Sequence, residues 1–278
     1  MAVAESHVGE TGRGRIRPFP VTRHPSPDTL SWVGKLLIYA VLVVGGVIFV
    51  APFVWMVSGS VQNIGDIFRW PPQWIPRNPT LDNYARFFET QRIGRFFLNS
   101  AYVAIAVTFL QLLLASLAAY AFAKRQFPGR DALFLLTLGT MMIPGQVTLI
   151  PAYIVVVRLG WQDTYQGLIV PILASGAFGT FVFRQFFKQI PEELADAARI
   201  DGANHWTIFW RIFLPLSKPA MTAYGVITAL AAWNMFLWPI IIIQSRDLWV
   251  LTMALNILQG QLSGSLNVLM AAVSLSML

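Results

Sequence analysis

The chain has 278 residues, 56% of them hydrophobic and only 12% charged, with a net charge of +7 and no cysteine. A soluble domain carries about 25% charged residues, so this composition excludes a soluble globular fold, and the missing thiols exclude disulfides and thiolate metal sites. His7, His24 and His205 stand at no zinc-binding spacing, and a positive balance in a membrane protein reflects basic cytoplasmic loops, so neither a metal centre nor a nucleic-acid partner is expected.

Residues 1 to 32 set Arg13, Arg15, Arg17 and Arg23 among prolines, with too little apolar surface to fold alone, and read as a disordered basic cytoplasmic tail. The first apolar run begins near Leu36 and is too long for a signal-peptide core, so it reads as a retained span to about Val57. Crossing a bilayer core of about 30 Å takes about 20 helical residues. From about Ser58 to Arg95, Trp70-Pro71-Pro72 and Trp74-Ile75-Pro76 suit an ordered segment at the membrane interface.

Span two covers about Phe96 to Ala123, where Ala115, Ala119 and Ala123 make a stripe of small residues that lets helices approach closely. It ends in the basic turn Lys124 to Arg130. Span three, about Ala132 to Val157, carries Pro144, Gly145, Gln146 and Pro151 and is expected to be broken. Span four is about Gly167 to Phe187 and span five about Ala220 to Ile243. Gln244 to Gly264 reads as a loop, and the last run from Leu266 to Leu278, about 20 Å long as a helix, reads as an incomplete sixth span. The fold class is an all-α polytopic membrane protein of about six transmembrane helices, with the tail over 1–32 and the membrane domain over 33–278. With the N-terminus inside, cytoplasmic segments hold thirteen of the 20 Lys and Arg, the bias expected of that orientation.

Between spans four and five lies a polar island, Glu193 to Pro215, inside a loop of about 188–217. Pro191 suits a first helical turn, and Glu192, Glu193 and Asp196 put negative charge at the positive end of the helix dipole. Ala195, Ala197 and Ala198 support a helix with little bulk, and Gly202 lets the chain turn into a second amphipathic piece with Ile208, Phe209, Ile212 and Phe213. A short smooth knob of this kind suits docking into a cleft on another protein.

Asp196-Ala197-Ala198, three residues, Gly202, nine residues and then Ile212-Phe213-Leu214-Pro215 resembles the coupling (EAA) loop of permease subunits of bacterial ABC importers, with Asp196 where the family has Glu. The similarity extends over about residues 33 to 278. Asn83-Tyr84, Phe127-Pro128-Gly129, Met142-Ile143-Pro144, Arg184-Gln185-Phe186-Phe187, Trp233-Asn234 and Leu237-Trp238-Pro239 point to permeases of the carbohydrate type, as for maltose or glycerol phosphate.

This resemblance implies a type I importer permease in the bacterial inner membrane, working by alternating access. Its implied partners are a second homologous permease subunit, an ATP-binding cassette ATPase dimer and an extracytoplasmic solute-binding protein, with membrane lipid around it. The chain has no P-loop, so ATP and Mg would be bound by the partner ATPase and no cofactor by this chain. Asp196, Ala197, Ala198 and Gly202 are the expected docking knob, Glu193, Arg199 and Asp201 its polar rim, and Ile212, Leu214 and Pro215 its attachment to the body. Asn99, Gln111, Gln146, Trp233 and Asn234 are candidates for the substrate path, although for the polar ones among them an interhelical hydrogen bond is the reading to prefer. Gln259 and Gln261 belong to the loop expected to reach the binding protein. The competing reading is a secondary carrier or channel that needs no ATPase, against which no Asp, Glu, Lys or Arg lies deep in the expected spans.

Overall fold

The computed structural model describes residues 32–261 and 266–276, apart from the side chains at 89–91, 258, 261 and 276. The expected disorder of the tail therefore falls outside the described residues, but for Trp32. Helix α1 covers Trp32–Ser60 with a mean hydropathy of 2.6 over its spanning window; no residue of that window is buried, whereas Ser58, Gly59 and Ser60 at its end are. The chain divides into two compact units, Met1–Pro52 and Phe53–Leu278.

In the second unit the chain first forms α2 (Ile64–Ile67), a turn-rich stretch and α3 (Asp82–Gln91), ordered without spanning as expected. Trp74 meets Trp55 edge-on at 5.4 Å. The Asn83-Tyr84 pair has a plain structural reason. Asn83 is 2% exposed, donates to Ser60 O and Gln62 O at 2.8 Å each, and accepts from Asn267 Nδ2 at 2.7 Å. A buried amide with every group satisfied splices three distant segments together.

Helix α4 (Ile93–Lys124) is the axis of this unit. Its buried residues, from Phe96 through Val103, Val107 and Gln111 to Ala115 and Ala119, recur every three or four positions and so form one face. Beyond Gly129, whose φ of +78° turns the chain, come α5 (Arg130–Thr140) and α6 (Gly145–Arg158), bent by 100°, and then α7 (Tyr165–Leu173) and α8 (Ala177–Gln189), bent by 48°. Span three is thus broken at Met141–Pro144, as the sequence leads one to expect. The break between α7 and α8 costs the Ile172 carbonyl its α-type partner; it accepts from Ser175 N–H at 3.0 Å instead, and Gln111 Nε2 adds a bond from α4 at 2.8 Å. That is how a membrane protein tolerates an interrupted helix.

The chain continues through α9 (Glu193–Ile200), α10 (His205–Ile208), a π-helical turn at Phe209–Phe213 and α11 (Leu214–Leu216) into α12 (Lys218–Trp233). Helices α8 and α12 both pack on α4, and the alanine stripe lies in that seam, with Ala115 and Ala119 at most 2% exposed. Span five is not one helix to Ile243, because the chain breaks after Trp233 and resumes as α13 (Leu237–Ile242). Pro239 has no N–H to offer the Met235 carbonyl, which accepts from Thr252 Oγ1 at 2.6 Å instead.

Nor is 244–264 a loop throughout. A 3₁₀ turn at Arg246–Leu248 leads into α14 (Leu251–Gln261), and α15 (Leu266–Ser276) follows. Leu251 and Ala254 of α14 are buried against Phe87, Ile93 and Phe96, so tertiary burial made a helix where the glycines and polar residues suggested a loop. Among the described residues α1 and α4 are each long and apolar enough to cross a membrane, and the two bent pairs raise the count to four.

Candidate functional site

The polar island begins where α8 ends. Ile190 is extended (φ −75°, ψ 123°), the backbone that a following proline favours, and α9 starts two residues after Pro191 with Glu193 and Asp196 in its first turn and Arg199 in its last. Gly202 closes α9 with φ +84°. Ala203 N–H reaches back to Ala198 O at 2.8 Å and Gly202 N–H to Arg199 O at 3.0 Å, a Schellman cap that needs the left-handed region glycine enters freely. Asn204 then caps α10, its Oδ1 accepting from Thr207 N and Oγ1 at 2.8 and 2.9 Å.

The cap turns the chain so that one side of the island is presented and the other anchored. Glu193, Asp196, Ala197, Asp201 and Gly202 are exposed, and Ile200 stands 87% exposed at the tip. Ala195 is buried and Ala198 half-buried. Of the expected rim, Arg199 is held within the loop, by Asp196 at 2.6 Å and Glu192 at 3.4 Å. At these exposures such pairs orient side chains more than they stabilise.

Anchoring differs from the expectation. Pro215 is exposed, and Ile212 and Leu214 are only half-buried at the cluster's edge, while Ile208, Phe209 and Phe213 are at most 1% exposed. Phe209 and Phe213 lie 5.4 and 5.3 Å from Tyr120 of α4, and Phe213 lies 5.7 Å from Phe187 of α8. Each such ring pair contributes about 0.5–1.5 kcal/mol beyond its buried area. The role of Pro215 lies in the backbone instead. Lacking an N–H, it cannot close the α-type bond to Arg211, and the helix widens to a π turn in which Leu214 N–H reaches Phe209 O. Phe209 and Phe213, four positions apart, share its buried face.

Three cations that the motif does not include fix this end of the molecule. Lys124 Nζ donates to Ile190 O and Glu192 Oε2, both at 2.9 Å, and sits 5.0 Å from the Phe213 ring centroid. The Arg125 guanidinium meets His205 Nε2. Arg184, 7% exposed, donates to Phe122 O at 3.3 Å, lies 3.8 Å over Phe134 and faces Asp131 at 3.7 Å, so the first residue of the Arg-Gln-Phe-Phe stretch ties together the segments on either side of the Phe-Pro-Gly turn. The clue available in the sequence was that Lys124 and Arg184 are cations at the ends of apolar runs.

At the opposite end of α4 a second constellation holds the segment from Ile243 to Leu251. Asp163 (φ +56°) accepts from the Gln244 and Ser245 amides at 2.9 Å each and from the Ser245 hydroxyl. Arg92 and Arg95 pair with Asp247 at 3.3 and 3.1 Å, and Ser100 Oγ accepts from Leu251 N–H at 2.7 Å. Asn99 is fully occupied here, donating to Asp247 O and Trp249 O and accepting from Tyr165 O–H at 2.7 Å.

The candidate path residues are not brought together. Gln111, like Asn99, is used up between helices: it donates to Ile172 O and to Ser175 Oγ and accepts from Tyr224 O–H at 2.7 Å. The two polar candidates deepest in α4 are therefore interhelical links. Gln146 is exposed at the start of α6. Trp233 and Asn234 do share a surface, a groove of about 1260 Å³ between α4 and α12, with Phe97 and Phe109 on its other wall. Gln259 is exposed on α14, and the Gln261 side chain lies outside the described residues. No cluster able to hold a metal ion occurs among the described residues.

Residues 111–278 match the family model described as binding-protein-dependent transport system inner membrane component. The chain is 35% identical over 249 residues to the sn-glycerol-3-phosphate transport system permease protein UgpE of Pectobacterium atrosepticum, covering 86% of this chain and 88% of that one. It is 32% identical over 215 residues to the diacetylchitobiose uptake system permease protein NgcG of Streptomyces coelicolor, covering 77% and 71%. Among solved structures it is similar to a chain of a bacterial ABC transporter involved in the import of the acidic polysaccharide alginate, with a TM-score of 0.79 and 22% identity, over 89% of this chain and 94% of that one. That last likeness concerns the fold.

Proposed function

The chain belongs to the binding-protein-dependent transport system inner membrane component family, as a multi-pass permease subunit, and from that premise we propose that it forms half of the translocation path of an ABC importer for a sugar or sugar-like solute. A second, similar permease supplies the other half. The exposed face of α9 with the Gly202 cap is the surface that enters a cleft of the ATPase, so Asp196, Ala197, Ala198 and Gly202 make the docking knob, with Glu193 and Asp201 at its rim. ATP and Mg belong to that ATPase. The end of the molecule at Lys124 is then cytoplasmic, as is the N-terminus, and the end at Asp163 and Asp247 faces a solute-binding protein. Trp233 and Asn234 line the solute side of the path, where an aromatic face and an amide suit a sugar ring. A carrier that needs no ATPase has no support among the relatives, whose names are those of transport-system permeases.

The observation that carries this reading is the division of labour in the island: Ile208, Phe209 and Phe213 are spent on the core around Tyr120 and Phe187, while Glu193, Asp196, Ala197 and Asp201 are left at the surface beside the Gly202 cap. A surface so built costs little to bury against a partner. The test is Gly202→Asp and Ala197→Glu in the co-expressed complex, with ATPase co-purification, hydrolysis of Mg-ATP and uptake as readouts. Ala197 is exposed on α9, so Ala197→Glu is expected to fold while the ATPase no longer co-purifies; Gly202→Asp has the same effect on association and in addition strains the cap at φ +84°. Full assembly and uptake in both variants would sink the docking role.

A further inference from the structure

Among the described residues helix α4 alone reaches both constellations without a break. From Asn99 to Lys124 it contains neither glycine nor proline, and kinks arise almost always at such residues or at π-bulges. Its stretch between those two residues measures about 37 Å, long enough to join opposite faces of a bilayer. The pairs α5 with α6 and α7 with α8 are bent, and α12 is interrupted before α13, so force applied at one end of any of these is absorbed at its break.

The contacts at the two ends of α4 are of the kind that transmit displacement. At one end Arg95, Asn99 and Ser100 hold the segment from Asp247 to Leu251 by directional hydrogen bonds. At the other Lys124, its side chain 8% exposed, touches the island where it leaves α8, through Ile190 and Glu192, and where it returns, through Phe213. A neutral side chain could not hold a carbonyl, a carboxylate and a ring face at once, whereas an ammonium with three donors does.

We propose that Lys124 is a positioning residue that couples the α9 island to α4, so that movement of the island is delivered along α4 to the 244–251 segment at the far end. This rests on the reading of the island as the ATPase contact. Tyr120, one turn earlier, fills the same seat with apolar contacts to Phe187, Phe209 and Phe213, so the island stays attached when the charge is removed. What is lost is the directional link.

The experiment uses the complete complex in lipid nanodiscs with an environment-sensitive fluorophore on Gly94→Cys, an exposed site at the far end of α4 with open space around its Cβ. The probe is Mg-ATP with vanadate, which needs no knowledge of the solute. Parent complex and Lys124→Arg respond alike, and Lys124→Gln loses about tenfold of the far-end response, as expected when bonds to a charged group go, while the ATPase still co-purifies and hydrolyses ATP. A silent probe in the parent, or a full response in Lys124→Gln, overturns the proposal. If Lys124→Gln does not assemble, Glu192→Gln removes only the half-exposed carboxylate partner; a reduced response there supports the proposal, and an undiminished one overturns it. Gly202→Asp is run alongside: retained ATPase association in that variant refutes the docking reading itself, whatever Lys124 does.

Discussion

Gly179 of α8 lies directly against the Tyr224 ring of α12, and replacing it with alanine is the sharpest test of how the helices on either side of the island are held. A Cβ there would stand 2.7 Å from the Tyr224 hydroxyl and closer still to two ring carbons. The ring has nowhere to go: it is 4% exposed, with Phe178 and Phe183 at 6.0 and 6.1 Å, and its hydroxyl bonds Gln111 at 2.7 Å. Overpacking costs about 1–3 kcal/mol, loss of the buried hydrogen bond about 1–3, and the better helix propensity of alanine returns up to about 1. The expected net loss is about 3 kcal/mol, read as a shift in the denaturation of the purified complex in detergent. Tyr224→Ala removes the obstacle, so Gly179→Ala in that background should cost nothing more, a coupling that a double-mutant cycle isolates. If the single variant matches the parent, or the two costs add, the close approach of α8 and α12 is not what holds the island's flanks together.

Two further outcomes concern charge and pH. Burial pushes the Asp163 carboxyl up, but the Ser245 hydroxyl and the Ser245 and Gln244 amides outweigh it and hold the group below the usual carboxylate range. A lowered carboxyl stabilises fully above its unfolded value near pH 4 and loses that contribution as the pH falls through its own. Asp163→Asn should therefore raise amide exchange at 244–245 about tenfold at neutral pH and abolish its acid dependence, as followed by hydrogen–deuterium exchange. Burial, then the charges of Arg125 and Arg199, hold the His205 imidazole below its ordinary value, so the native corner around α10 disfavours the proton. Its protection should be full above about pH 6.5 and fall as acid protonates it, and His205→Gln should flatten that profile; a flat profile in the parent would refute the account.

Which half of the island faces a partner was only partly legible in the residues. The small and acidic positions from Glu193 to Gly202 announce themselves, because a helix start, a run of alanines and a left-handed glycine are local matters that a few neighbouring residues settle. Anchorage was not local. Phe209 and Phe213 meet Tyr120 and Phe187 from distant parts of the chain, and Lys124 finds Ile190 and Glu192 across 66 and 68 positions of sequence. The polar residues at depth teach the same lesson, since Asn99 and Gln111 have the composition of a path and the partners of a scaffold.

Composition and order of residues by themselves determined a membrane-embedded helical chain, the break in span three and the island with its cap, because solvent preference, proline geometry and helix capping act within a few residues. Only the tertiary structure decided that α14 is a helix, that span five stops at Trp233, and that one unbroken helix joins the two constellations. Each of those depends on which distant group satisfies a carbonyl or covers an apolar face, and a side chain is committed to such a partner only once the chain has folded.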